Sequence, residues 1–265
     1  RVARNNEEAK RFVEASYAQG VDLVKLMVTG GVLDAKEKGV PGEMKMPEDM
    51  IQTICKKAHQ LGLLTSAHVE STEGVKAALR NGVDSIEHGA KPDQEMIDLF
   101  KEKKAFLITT LSPALPFALF DPSVSKVDDT QLFNGKMVFD GIVECSKAAL
   151  ENHIPVGLGN DVGCPWITQY DFYRELVYFH KYVGVTNGFA LYTATLQNAI
   201  LAGISDVTGS IDAGKQADMI VVKENPLDDL NALKNIDIVF TKGKMVHPKI
   251  KRDKEIEKRL DAFCK

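Results

Sequence analysis

The feature that most limits what this chain can fold into is a set of short, almost continuously apolar runs that each end near polar side chains. VDLVKLMV (21–28), LLTSAHV (63–69), VDSIEHG (83–89), AFLITTL (105–111) and IPVGLGND (154–161) are of strand length. They lack the strict alternation of a half-solvated strand and suit strands covered on both faces, as in parallel sheets. Helix-length segments with start and stop signals lie between them. Asn5 or Asn6 caps the first, Glu7 and Glu8 sit in its first turn, and Gly20 ends it. Pro47 opens a second that Gly62 closes, Ser71 caps a third ending at Gly82, and Pro92 opens a fourth running to Lys104. Further helices are expected over 135–152, 168–183 and 187–202, with 112–130 as a long loop rich in Pro and Asp. Five strands alternating with helices predict an α/β fold, either a doubly wound sheet or a (β/α)8 barrel.

After Gly203 the texture changes. ADMIVV, IDIVFTKG and KMVHP are short strands without long helices between them, and a charged helix is expected from about Lys251 to Lys265. The organisation expected is an α/β part over 1–207, a small β module over 208–248 and a terminal helix over 249–265. Composition excludes several function classes. Lys and Arg number 33 against 37 Asp and Glu, a net charge of −4 without a basic cluster, so neither nucleic acid nor an anionic membrane is expected as a partner. No apolar run approaches membrane-spanning length. Four scattered cysteines read as reduced thiols of a cytoplasmic protein.

In parallel α/β architectures chemistry collects at the carboxyl ends of strands. Lys25, His68, His88 and Asp161 stand in or at the end of four different runs. A single histidine at a strand end is more often structural than a ligand, but four titratable groups at one level point to a shared site. Lys25 adds weight, because an ammonium inside an apolar strand is expensive unless paired. His59, His153, His180 and His247 fall elsewhere and are assigned surface or packing roles. Two glycine patterns are decoys. Residues 209–215 match GxxxxGK, but Gln216 follows where Ser or Thr is needed and a strand comes next; GLGNDVG would set Asp161 against a phosphate.

The segments VDLVKLMVTGGV, AHVESTEGVKAALRNGVDSIEHG, PVGLGNDVG and GSIDAGKQADMIVVKENPLDDL resemble the amidohydrolase superfamily, in its imidazolonepropionase-like and Xaa-Pro-dipeptidase-like branch. The resemblance implies a (β/α)8 barrel of which this chain supplies strands four to eight, with the C-terminal half of a small β-sandwich. It implies one or two divalent metals, usually zinc: Lys25 as a carbamate bridging two metals, His68 and His88 on the second, Asp161 on the first and shuttling a proton. The activity so implied is hydrolysis of a C–N amide bond in a small or peptide-like molecule by a binuclear metal-activated hydroxide. A mononuclear cyclic-amide hydrolase and a non-catalytic scaffold are the alternatives.

The chain departs from that pattern in having no His-x-His pair. A full barrel takes about 250 residues, so the expectation is the C-terminal portion of a polypeptide of about 400 residues. Its partners would be the N-terminal portion of the same protein and further copies in a homo-oligomer. Alone, the open sheet edges predict an unstable or aggregating chain. For the substrate, Glu70 and Thr110 (with Thr109) are the pocket candidates, and the 112–130 loop, with Phe117 and Phe120, is expected to form an apolar wall. Glu70 would repel a free carboxylate, which predicts that simple Xaa-Pro dipeptides are poor substrates; facing solvent or capping the next helix near Ser71 is its other reading.

Overall fold

The structure, a computed structural model, describes residues 2–247 and 249–265. Arg1 and Pro248, the residue that closes the expected KMVHP strand, lie outside the described residues. Two compact units divide the chain: Arg1–Thr109 with Ala114–Val156, and Thr110–Pro113 with Gly157–Lys265.

The first unit begins with α1 (Asn6–Tyr17), whose Glu8 N–H is taken by the Asn5 side chain, as its capping residues predict. Parallel strands follow with helices between them: β1 (Leu23–Met27), α2 (Glu48–Gln60), β2 (Leu64–Val69), α3 (Thr72–Arg80), β3 (Ser85–His88), α4 (Gln94–Lys103) and β4 (Phe106–Thr109). Ser71 caps α3, its hydroxyl accepting the Gly74 N–H, and Asp93 caps α4. Lys76, 6% exposed, ties these two helices by an ion pair to Asp93 at 2.9 Å. With β5 (Val156–Leu158) the strands form a five-stranded sheet in sequential order. That is a mixed α/β fold around a parallel sheet, as the apolar runs predict. Val28, Ala67, Val69, Ile86 and Leu107 are buried in its core.

The 112–130 segment is not a loop. It folds into α5 (Leu111–Leu119) and α6 (Pro122–Ser125), and the long helix α7 (Asp129–Glu151) starts six residues before the expected 135. Asp128 and Gln131 form a reciprocal capping box at that start. Phe117 and Phe120 are each 6% exposed, so they pack into the core rather than walling a pocket.

In the second unit, α8 (Tyr173–Tyr178) runs on as a π-turn over Phe179–Val183, and α9 (Asn187–Tyr192) runs through Thr193–Gln197 into α10 (Asn198–Leu201). An antiparallel sheet of β6 (Met219–Val222), β7 (Ile236–Thr241) and β8 (Lys244–Val246) precedes α11 (Lys254–Asp261). Residues 209–215 are turn rather than a phosphate loop opening a helix, and Lys215 is held by Ser210 and Asp212. The four cysteines are free, and no described helix is long and apolar enough to cross a membrane.

Glu175 on α8 is fully buried. Its carboxylate accepts the N–H groups of Leu111 (2.7 Å) and Ser112 (2.8 Å) and the Ser112 hydroxyl (2.5 Å). Burial pushes Glu175 up to about 7 against the opposing pull of those hydrogen bonds. A carboxyl that binds its proton more tightly folded than unfolded stabilises fully below its unfolded value near 4.5 and loses that stabilisation as pH rises through 7. The whole interval is worth about 3 kcal/mol, roughly 2 of it between pH 5.5 and 8. Urea unfolding at those two pH values is expected to show the chain weaker at pH 8; equal or greater stability there would contradict the assignment.

Candidate metal centre

Residues paired across a parallel ladder leave the same face, and residues two apart along a strand share it. Lys25 pairs with Ser66, Met27 with His68, and His68 with Glu87. Lys25 and His68 therefore share a face, with Lys25 one repeat below. His88 pairs with Val69, which should send it to the other face. Its backbone adopts φ 69 instead, and this left-handed twist at the end of β3 turns the imidazole back. The His68 and His88 rings meet edge to face with centroids 4.6 Å apart. Glu70 completes the group, and the ligand atoms of His68, Glu70 and His88 lie within 4.8 Å of one another.

The loop after β1 braces this cluster. Gly30 O lies 3.2 Å from His68 Nε2, and a carbonyl only accepts, so His68 carries its proton on Nε2. In the neutral ring the lone pair is then on Nδ1. The Val32 N–H donates to Glu70 Oε2 at 3.0 Å. A Cβ at Gly31 would stand 3.1 Å from that same oxygen, and one at Gly42 would stand 2.5 Å from the Glu70 carbonyl. These glycines let backbone close over Glu70. His88 is 3% exposed, and burial, then the neighbouring His68 and Lys25 charges, hold it well below its ordinary 6.5. It is therefore neutral near pH 7 and suited to bind a cation. Imidazole nitrogens and a carboxylate are a donor set that zinc accepts.

The other sequence-predicted residues are placed as follows. Lys25 is exposed on β1, which stands at one end of the sheet, so the burial argument made for it does not hold. Its position on the same sheet face as His68 does. Glu70, half-buried, sits against the imidazole pair rather than capping α3, a task Ser71 performs. Asp161 belongs to the second unit, on the turn after β5, with φ 48; the Cys164 thiol donates to its Oδ2 at 3.2 Å. Thr110, also in that unit, is buried, as is Thr109 in the first. His59 pairs with Asp84 at 2.8 Å and His180 with Val185 O at 2.6 Å, in keeping with structural roles. Sequence reasoning missed the pairing of Glu70 with the histidines. The signal was present: His68 lies near the end of the 63–69 run and Glu70 just past it, two residues apart and so on one side if the extended backbone continues. A cavity of about 940 Å³ adjoins Glu70, with Val40, Leu132, Phe133 and Met137 among its apolar walls.

The sequence matches the model of the Amidohydrolase family over residues 3–246. It is 26% identical to ochratoxinase of Aspergillus niger over 249 residues, 92% of this chain and 50% of that protein. The structure superposes on a prolidase-like protein from Bifidobacterium longum with a TM-score of 0.91 at 38% identity, covering 97% of this chain and 64% of that one. A Xaa-Pro dipeptidase crystallised with methionine in its active site gives a TM-score of 0.81 at 29% identity, covering 93% and 60%. The chain spans about half the length of the curated relatives it matches.

Proposed function

The chain belongs to the amidohydrolase family, and from that membership we propose that it serves hydrolysis of a C–N amide bond in a small, peptide-like molecule. The observation that carries the reading is the convergence of His68, His88 and Glu70 at the carboxyl end of a parallel sheet. These residues would hold a divalent cation, zinc by their chemistry, and Lys25 as a carbamate with Asp161 would complete a two-metal site in a (β/α)8 barrel. A cation so held supplies Lewis acidity, polarising a carbonyl and lowering the pKa of water.

The chain's own groups do the rest. Gly30 O and the Val32 N–H fix the directions of His68 and Glu70 before any ligand arrives. The role that the family resemblance implies for Asp161, whose Oδ2 accepts the Cys164 thiol, would be to take a proton from water and pass it to the departing amine nitrogen. Because Glu70 faces the imidazoles, its charge is directed at the cation, and Xaa-Pro dipeptides belong in the substrate panel beside N-acyl amino acids. One observation favours a second reading: the three donors suffice for a single metal without Lys25.

Metal analysis of the full-length protein separates the two, at about two zinc ions per subunit against about one. Dialysis against a chelator is expected to abolish hydrolysis across the panel and added zinc to restore it. An unchanged rate in metal-free protein would overturn the proposal.

A further inference from the structure

Thr29, two residues past the end of β1, is 1% exposed, yet its hydroxyl is engaged on both sides. Thr29 Oγ1 accepts the Glu70 N–H at 3.0 Å and donates to Gly30 O at 2.7 Å. Gly30 O is the same carbonyl that receives His68 Nε2. One hydroxyl therefore joins the backbone of Glu70 to the acceptor that sets the tautomer of His68. Its methyl is packed as tightly: a Cβ at Gly74 would lie 2.5 Å from Thr29 Cγ2. A buried hydroxyl that both accepts and donates is fixed in rotation, and the carbonyl it holds is fixed with it.

We propose that Thr29 is a positioning residue for the cation site, its hydroxyl holding the Gly30 carbonyl so that His68 presents Nδ1 to the metal while Glu70 is kept beside it. This rests on the reading of His68, Glu70 and His88 as ligands, a group to which Thr29 does not belong. Partners of ligating histidines set tautomer and ring direction, and their loss weakens metal binding by one to two orders of magnitude. Valine matches threonine in shape without the hydroxyl; serine keeps the hydroxyl without the methyl.

Zinc affinity is read by competition with a chromogenic chelator on the full-length protein. Thr29→Val is expected to bind about 10- to 100-fold more weakly, and Thr29→Ser to stay within about threefold of wild type. The second readout is 15N NMR of histidine-labelled, metal-free protein. Wild type and Thr29→Ser should show His68 as the Nε2–H tautomer, and Thr29→Val a mixture. Wild-type affinity in Thr29→Val would overturn the proposal. So would an equal loss in Thr29→Ser, which would trace the effect to packing against Gly74. If the wild type itself fails to bind zinc, the cation reading falls, and the tautomer spectra then decide the hydroxyl's role: a mixture confined to Thr29→Val upholds it, identical spectra overturn it.

Discussion

Replacing His88 by Asn is expected to lower amide hydrolysis by about 10³-fold or more, equivalent to about 4 kcal/mol of barrier, and to remove tight zinc binding. The choice of Asn follows from the backbone. His88 sits at φ 69, where Asn is tolerated and a β-branched residue would be strained, so the variant tests chemistry rather than folding. Asn can donate and accept hydrogen bonds but offers no imidazole nitrogen, leaving His68 and Glu70 as a two-point site. The fold is expected to survive, with far-UV circular dichroism and thermal midpoint close to wild type. His59→Asn serves as the control. Its Nε2 lies 2.8 Å from Asp84 Oδ2, away from the imidazole pair, and turnover should remain within about twofold. Full activity in His88→Asn would remove His88, and with it the cluster, from the reaction.

The site was legible in the sequence to the extent that it depends on local rules. His68 and His88 announced themselves because strand ends are where a parallel sheet presents polar groups. Asn5 and Ser71 cap helices as their positions require. The Asp128–Gln131 box is equally readable in the letters, but the expectation for 112–130 rests on its Pro and Asp content and does not use the box. Two things were beyond local reading. Gly89, at φ 87, signals a turn there, but nothing in the letters says that the left-handed conformation begins one residue earlier, on His88 itself, so strand alternation alone would send that ring to the wrong face. Helix α5 is anchored by Glu175, 63 and 64 residues further along, which takes the first N–H groups that a local cap would have satisfied. Two prolines within residues 111–119 looked like breakers; Pro113 falls in the first turn, where a missing N–H is no loss, and only Pro116 lies in the interior.

Arg174→Met is expected to destabilise the chain by about 3–5 kcal/mol, the largest stability effect anticipated at any single position. Arg174 and Asp171 are 2% and 4% exposed, with Nε 3.2 Å from the carboxylate. The same guanidinium reaches Asp261 on α11 at 2.7 Å and the Cys264 sulfur at 3.1 Å, and it stacks 5.1 Å from the Tyr173 ring centre. Methionine fills much of the volume but leaves the buried Asp171 carboxylate, among the described residues, with Arg252 at 3.7 Å as its remaining ion-pair partner. That uncompensated charge, more than the lost attraction, sets the size of the penalty. Asp261 suffers less, because Lys234 holds it at 2.8 Å from the other side. The double variant Arg174→Met with Asp171→Leu should recover most of the loss, since removing both members leaves no orphaned charge. By contrast, Lys10→Met, which breaks the exposed pair with Glu7, should change stability by less than about 0.5 kcal/mol. Urea unfolding of the four proteins decides the matter. A double variant no more stable than Arg174→Met would show that the guanidinium acts through its contacts to α11 and Tyr173, not by neutralising Asp171.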